Sequence, residues 1–336
     1  MSDQLTAIFT GEAFSLGELT ASINKVDQAP YMFRQLLDIN EESVTTTAAG
    51  VEEKNGRISV IQSSARGSEA KVSSDPKRKV RYFEIPHYVE SASIQASEVQ
   101  NVRAFGETNL LQTVEAKRDE KNAILRAKHE VTAEFAVAGM VAGKLLDSDG
   151  SIIQDWHAPD GFNIARSIFD LDITDATLDL RAEFLKIKRA LNLRLGGFLV
   201  KGFNVFFAAE MFDDFIKHPS ITKMYERFQE GVMFRNDPSA GSVVLADNMK
   251  VFCYEPNQLN GLNFIPTDTG FVVPDAPGLL QGRFAPADTL ETANTPGIPF
   301  YAIPGEVTAR KVSWDTESNP LYFCIDPAAI GNITFA

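Results

Sequence analysis

The chain has little of what builds covalent scaffolds or metal centres: two cysteines and four histidines among 336 residues. Cys253 and Cys324 are too few for a disulfide framework. Each sits in an apolar run, Val251 to Tyr254 and Leu321 to Ile325, so both are expected to be buried free thiols in a reducing compartment. His87, His129, His157 and His218 are scattered, with no partner at the spacing of a zinc site, so no metal is expected. Positive charge is also short. Lys and Arg number 32 against 45 Asp and Glu, a net charge of −13, which argues against general attraction to nucleic-acid backbones or anionic membranes. No apolar run approaches the roughly 18 residues a membrane span requires. The N-terminal stretch, with Asp3 and Glu12, lacks a basic region followed by an apolar one, so a cytoplasm-like environment is expected.

Signatures of enzymes are missing too. No Gly-x-Gly-x-x-Gly follows a strand and no Gly-x-Ser-x-Gly elbow occurs. Gly139 to Lys144 approaches a phosphate loop but is one residue short between its glycines, has Leu145 where a hydroxyl should hold magnesium, and lies in a helical stretch. Neighbouring carboxylates such as Asp213-Asp214 and Glu41-Glu42 are expected by chance in so acidic a chain. No catalytic, cofactor-binding or metal-ligating residue is therefore assigned, no cofactor is expected, and the chain is not expected to be an enzyme.

What is present is enough apolar material for a substantial core, 44% hydrophobic residues with 24 Phe, in one elaborate domain or two ordinary ones. Ser15 to Lys25 reads as a weak helix, and Tyr31 to Leu37 as an apolar anchor. From residue 43 to 90 extended runs meet at a polar loop: Val44 to Val51, a turn at Asn55-Gly56, Arg57 to Ile61, then a solvated tip and a return strand Val80 to Ile85. A helix of some forty residues follows, about 107 to 147, spanning about 60 Å. Its apolar positions, Leu110, Val114, Leu125, Phe135, Met140 and Leu146 among them, fall along one side; its first half is charged and reads as wet.

Downstream, Asp147 to Gly150 makes a hairpin turn, and Thr174-Asp175 caps a helix to Leu195 that Gly196-Gly197 stops. The strand Phe198 to Phe207, helices in 208–217 and 222–230, and strands Ser242 to Ala246 and Lys250 to Tyr254 suggest an α/β layer. Asn257 to Pro304, rich in Gly and Pro, reads as a surface-wandering loop region. Val307 to Trp314, Leu321 to Ile325 and Ile330 to Phe335 read as closing strands, with Asp326-Pro327 turning between the last two.

Two basic clusters break the acidic background. Arg66, Lys71, Lys77, Arg78, Lys79 and Arg81 gather at the tip of the extended segment. They fit a contact with an acidic surface of a second copy, a solvated loop, or, least well, nucleic acid. Lys186, Lys188, Arg189 and Arg194 read as the wet face of their helix.

Taken together, the segment Ser43 to Ile85, the strut-like helix, the hairpin Lys144 to Ile153, the run Phe264-Ile265-Pro266 ahead of a strand ending at Pro274, Gly278 to Ala285, and the close Cys324 to Ile330 resemble the lambda-type major capsid proteins (major head protein E family) of tailed phages. The resemblance implies an α+β, HK-ninety-seven-type fold. It divides the chain into an N-terminal arm (1–42), an extended loop (43–90), a peripheral domain with the strut helix 107–146 (91–160), a mainly axial domain (161–305) and C-terminal strands returning to the peripheral domain (306–336). It further implies self-assembly into pentamers and hexamers of an icosahedral virion shell around double-stranded DNA, put together in the host cytoplasm. A separate scaffolding protein, a portal and a decoration protein are the implied partners. A cellular nanocompartment shell of the same fold is the alternative, and an α/β enzyme the remote one.

Overall fold

The computed structural model describes residues 14–26, 31–54, 78–99, 110–196, 198–228, 242–246, 248–255, 258–259, 262–308 and 310–335. Its longest element is helix α4 (Leu110–Ala142), preceded by α1 (Leu16–Lys25), α2 (Met32–Leu36) and the single turn α3 (Ala96–Val99). Thirty-three residues at 1.5 Å each make α4 about 50 Å long. The expected helix to 146 stops earlier because Gly143 takes φ +79°, a left-handed conformation that ends helices. Strand β5 (Lys144–Leu146) starts at once and pairs with β6 (Ile152–Asp155) around the expected 147–150 turn. An added Cβ at Gly143 would lie 2.7 Å from His157 Cδ2. Gly143→Ala should therefore lower stability by about 2 kcal/mol, read as a shift in urea midpoint; an unchanged midpoint would mean that this corner relaxes freely.

A six-stranded mixed sheet, ordered β7-β18-β13-β8-β10-β9, sits at the centre of the second half. Its strands are β7 (Ser167–Leu171), β8 (Gly202–Phe207), β9 (Ser242–Ala246), β10 (Met249–Cys253), β13 (Thr269–Asp275) and β18 (Gly331–Phe335). Because side chains alternate across a strand, β8 sends Phe203, Val205 and Phe207 to one face and Phe206 to the other. On the first face lie α5 (Leu180–Leu195), α6 (Ala209–Lys217) and α7 (Pro219–Phe228), with Phe184 of α5 and Phe215 of α6 meeting edge-on at 5.9 Å. The opposite face packs Phe206 against Phe33 of α2.

Helix α5 begins four residues later than expected, with Asp179 as its N-cap accepting from Ala182 N at 3.3 Å. Asp172 and Asp175 instead hold tight turns with Thr174 and Thr177. Strand β8 starts at Gly202, and Phe198 and Leu199 lie exposed before it.

Two further three-stranded sheets complete the body. One orders β15 (Tyr301–Val307), β16 (Lys311–Ser318) and β4 (Tyr88–Gln95); the other orders β1 (Ile39–Ser43), β14 (Leu280–Phe284) and β17 (Pro320–Cys324). A minor ribbon joins β11 (Gln258–Leu259) and β12 (Leu262–Asn263). The region 257–304 is thus no surface loop: β13 and β14 are core strands, with Phe271, Val272, Val273 and Leu280 buried. Pro274 is tolerated in β13 because Asp275 O accepts from Lys201 N toward β8, so the Pro274 nitrogen points the other way, where β18 pairing has already ended at Val272. The first of the expected closing strands divides, residue 307 ending β15 and 311 opening β16, with Asp326-Pro327 entering a 3-10 turn as the chain passes to β18. Both cysteines are free and buried.

Candidate assembly surfaces and the buried seam that supports them

The extended segment begins as a two-stranded ribbon of β2 (Ala48–Lys54) and β3 (Arg78–Glu84), antiparallel from Ala48↔Glu84 to Lys54↔Arg78. The strand after residue 44 thus pairs with the return strand. The expected run 57–61, the Asn55-Gly56 turn, and Arg66, Lys71 and Lys77 lie outside the described residues. The ribbon is anchored at its root. Ala49, Val51 and Phe83 are buried, and the Phe83 ring meets Trp156 edge-on at 5.2 Å and Phe162 at 5.3 Å. On the other face Val80 is 45% and Tyr82 75% exposed. Of the basic cluster, Arg78 and Lys79 open β3, while the Arg81 guanidinium donates to the carbonyls of Gly161 and Phe162 in its own chain, the latter at 3.1 Å. Arg81 thus works inside the subunit, clamping the ribbon to the turn after β6.

Behind the ribbon, the second half of α4 is the packed one, as expected, while the first half is only partly wet. The second half is buried nearly all round, at Ala133, Ala136 to Ala138, Met140 and Val141, while Phe135 is only partly covered and meets Phe264 edge-on at 5.5 Å. In the first half Ile124 is 58% exposed while the polar Asn122 is buried, and in the second half the polar residues His129, Glu130 and Glu134 are buried. Asn122, Arg126, Glu130 and Glu134 recur every four residues, so they share one helix face. That polar stripe meets partners far away in sequence. Asn122 accepts from Trp314 Nε1 at 2.9 Å and donates to Ser22 Oγ at 3.0 Å, joining β16 and α1 to the helix. His129 Nε2 lies 3.0 Å from Thr316 Oγ1, whose own proton goes to Glu90 O at 3.0 Å, so the imidazole donates. Arg126 lies over the Phe300 ring at 3.6 Å and donates to Glu130 at 2.9 Å, and Glu130 also pairs with Arg34.

At the far end of the stripe the Glu134 carboxylate accepts from Phe33 N at 2.7 Å, Arg34 N at 3.3 Å and Tyr254 OH at 3.1 Å. Burial pushes its pKa up, opposed by those donors and by the Arg34 charge. This one carboxylate ties α4 to the first turn of α2 and to the residue that follows β10. Glu41 continues the network, accepting from Tyr322 OH at 3.1 Å and pairing with Arg34 at 3.4 Å. Composition alone could not show this stripe, since four polar residues at helical spacing look like a solvated face until their partners are placed.

Beside α4 runs an open groove of about 780 Å³ lined by Tyr88, Val89, Ile124, Lys128, Phe135 and Phe264 among others. Burial and the nearby Asp147 push the Tyr88 phenol up to about 12. Among the described residues no group of three His, Cys, Asp or Glu is placed to hold a metal, and no helix is long and apolar enough to cross a membrane. On α5, Lys186 pairs with Glu183 at 2.6 Å and Arg194 with Asp326 at 2.7 Å.

The model of the family described as phage major capsid protein E matches residues 15–335. The major capsid protein of Pseudomonas phage KPP10 is 24% identical over 309 residues, covering 86% of this chain and 87% of that one. Among solved structures, the capsid of Myoviridae phage XM1 superposes with a TM-score of 0.52 at 8% identity over 92% of this chain and 94% of that one. A protein described as the capsid protein of a prophage of E. coli CFT073 also reaches 0.52, at 13% identity over 100% and 99%. The fold is the α+β, HK-ninety-seven-type capsid fold. With nearly all of its length matched, this chain belongs to the phage major capsid protein E family.

Proposed function

We propose that the chain forms the icosahedral head of a tailed phage from pentamers and hexamers of itself, enclosing packaged double-stranded DNA. Its role as a phage major capsid protein carries the reading, through the family match over residues 15–335. A nanocompartment shell is less well supported, since the family and the curated relatives are phage proteins. The family is a structural one, not a family of enzymes. In this reading 1–42 serve as arm, 43–90 as extended loop, 91–160 and 306–336 as the peripheral region and 161–305 as the axial region. A scaffolding protein directs assembly in the host cytoplasm, a portal admits DNA, and a decoration protein caps the shell. The ribbon of β2 and β3 reaches a neighbouring subunit, its basic residues meeting acidic surface there; the exposed Val80 and Tyr82 face supports this.

Electron microscopy of the expressed protein should show closed shells; a solution of stable monomers would overturn the reading. Changing Lys77, Arg78 and Lys79 to Glu should leave the subunit folded, by circular dichroism, yet abolish shells. Normal shells from that variant at physiological salt would show that the loop does not act through charge.

A further inference from the structure

Helices α5 and α6 sit on the same face of the six-stranded sheet, and α7 packs against both. Their outer faces carry opposite charge. Along α5 the exposed charged positions are Arg181, Lys186, Arg189 and Arg194, with Lys188 half-buried; Lys186 is paired with Glu183 and Arg194 with Asp326, so Arg181 and Arg189 carry the outward basic charge on a chain of net charge −13. Along α6 they are Glu210, Asp213, Asp214 and Lys217; Lys217 pairs with Asp213 at 3.6 Å, so Glu210 and Asp214 carry the outward acidic charge. Each helix keeps its apolar side inward, through Leu180, Phe184, Ile187 and Leu191 on α5 and Met211, Phe212 and Phe215 on α6. The charged faces are therefore held rigidly outward.

The basic face ends in exposed apolar surface. Leu193 is 77%, Phe198 41% and Leu199 79% exposed, and Phe198 N bonds back to Leu195 O at 3.2 Å, which fixes the corner. Ion pairs Arg194 to Asp326 at 2.7 Å and Lys201 to Asp38 at 3.2 Å stand beside it. Large apolar side chains bordered by ordered polar groups are the anatomy of a protein interface. A basic face and an acidic face on one subunit are complementary between copies related head to tail, and such contacts form rings when the rotation between copies closes.

We propose that the basic face of α5, with Leu193 and Leu199 at its end, docks on the acidic face of α6 of a second copy of this chain. The pairing rests on the shell-forming reading above and names the surfaces that would join adjacent subunits in a capsomer.

A charge swap tests it on the full chain. Arg181→Glu with Arg189→Glu, and separately Glu210→Lys with Asp214→Lys, should each reduce oligomer yield at least about tenfold, read by sedimentation or mass photometry, because like charges then face each other. Circular dichroism and melting should stay unchanged, since all four residues are exposed. The chain carrying all four substitutions should recover assembly. Wild-type yield from either double variant, or failure of the fourfold variant while it remains folded, would overturn the proposal. Wild-type protein that stays monomeric would overturn the shell-forming reading along with it. Wild-type shells beside indifferent variants would overturn the proposed pairing alone. Binding of duplex DNA tighter than the non-specific range of about 10⁻⁴ to 10⁻⁶ M at physiological salt, lost with Arg181→Glu and Arg189→Glu, would reassign the α5 face to nucleic acid and also overturn it.

Discussion

Replacing Glu134 with alanine should destabilise the subunit by about 3–5 kcal/mol, a large share of what holds a domain of ordinary stability. The carboxylate is 0% exposed and accepts from two backbone amides and a phenol, all of which the substitution strands without water. It also leaves Arg34 with less negative charge to face. Tyr254→Phe removes only one of the three donors and should cost about 1 kcal/mol. Urea unfolding of the two variants at neutral pH gives the comparison. A Glu134→Ala loss no larger than the Tyr254→Phe loss would mean that water reaches the Phe33 and Arg34 amides and that α2 is held by Phe33 packing alone.

Acid should loosen the same helix at a second point. Burial depresses the pKa of His129 from its ordinary 6.5 to about 4, with Arg126 pushing the same way and Thr316, Glu90 and Glu130 opposing. Below pH 6.5 the unfolded chain takes up a proton that the native site refuses. The stability is thus intact above that pH, declines as pH falls, and is fully lost near pH 4, in total about 3 kcal/mol. Against His129 stand Thr316 of β16, Glu90 of β4, Phe300, and Arg126 and Glu130 of its own helix, so its protonation strains the packing of α4 on the β15-β16-β4 sheet. His129→Gln keeps a donor for Thr316 and removes the titration. Its stability relative to wild type should rise by about 3 kcal/mol between neutral pH and pH 4; a constant difference would show that His129 protonates freely in the folded state.

The elements that could be read from sequence are those whose signals are local. The apolar spacing from Val114 to Val141 marks the strut helix, Ser15 caps α1 as its position suggests, and the runs at 321–325 and 330–335 are strands. The misread elements depend on neighbours distant along the chain. Gly270 and Gly282 look like strand breakers, yet an added Cβ would lie 2.2 Å from the Phe207 ring and 2.9 Å from the Tyr322 ring. Glycine is needed there so that aromatic rings of adjacent strands can cross the sheet. The cap of α5 falls at Asp179 and not at the expected Thr174-Asp175 for a different reason, since Asp172, Asp175 and Asp179 all sit ahead of the helix and each bonds a backbone amide. Arg81 stands among basic neighbours in sequence, but strand alternation sets it on the side of buried Phe83 and opposite exposed Tyr82. No local pattern reveals that Asn122, His129, Glu130 and Glu134 are buried, because Trp314, Thr316 and Tyr254 lie more than a hundred residues away.

Strands β16, β17 and β18 follow one another within 25 residues, yet each completes a different sheet. β16 pairs with β4, some 226 positions earlier at Thr316 and Glu90. On a ribosome, each of the three sheets must wait for its own strand, β16, β17 or β18, to leave the exit tunnel. Contacts of such long separation fold slowly, since chain entropy must be surrendered before they form. The surfaces that these three sheets carry are therefore completed only once strands β16, β17 and β18 have docked, late in folding.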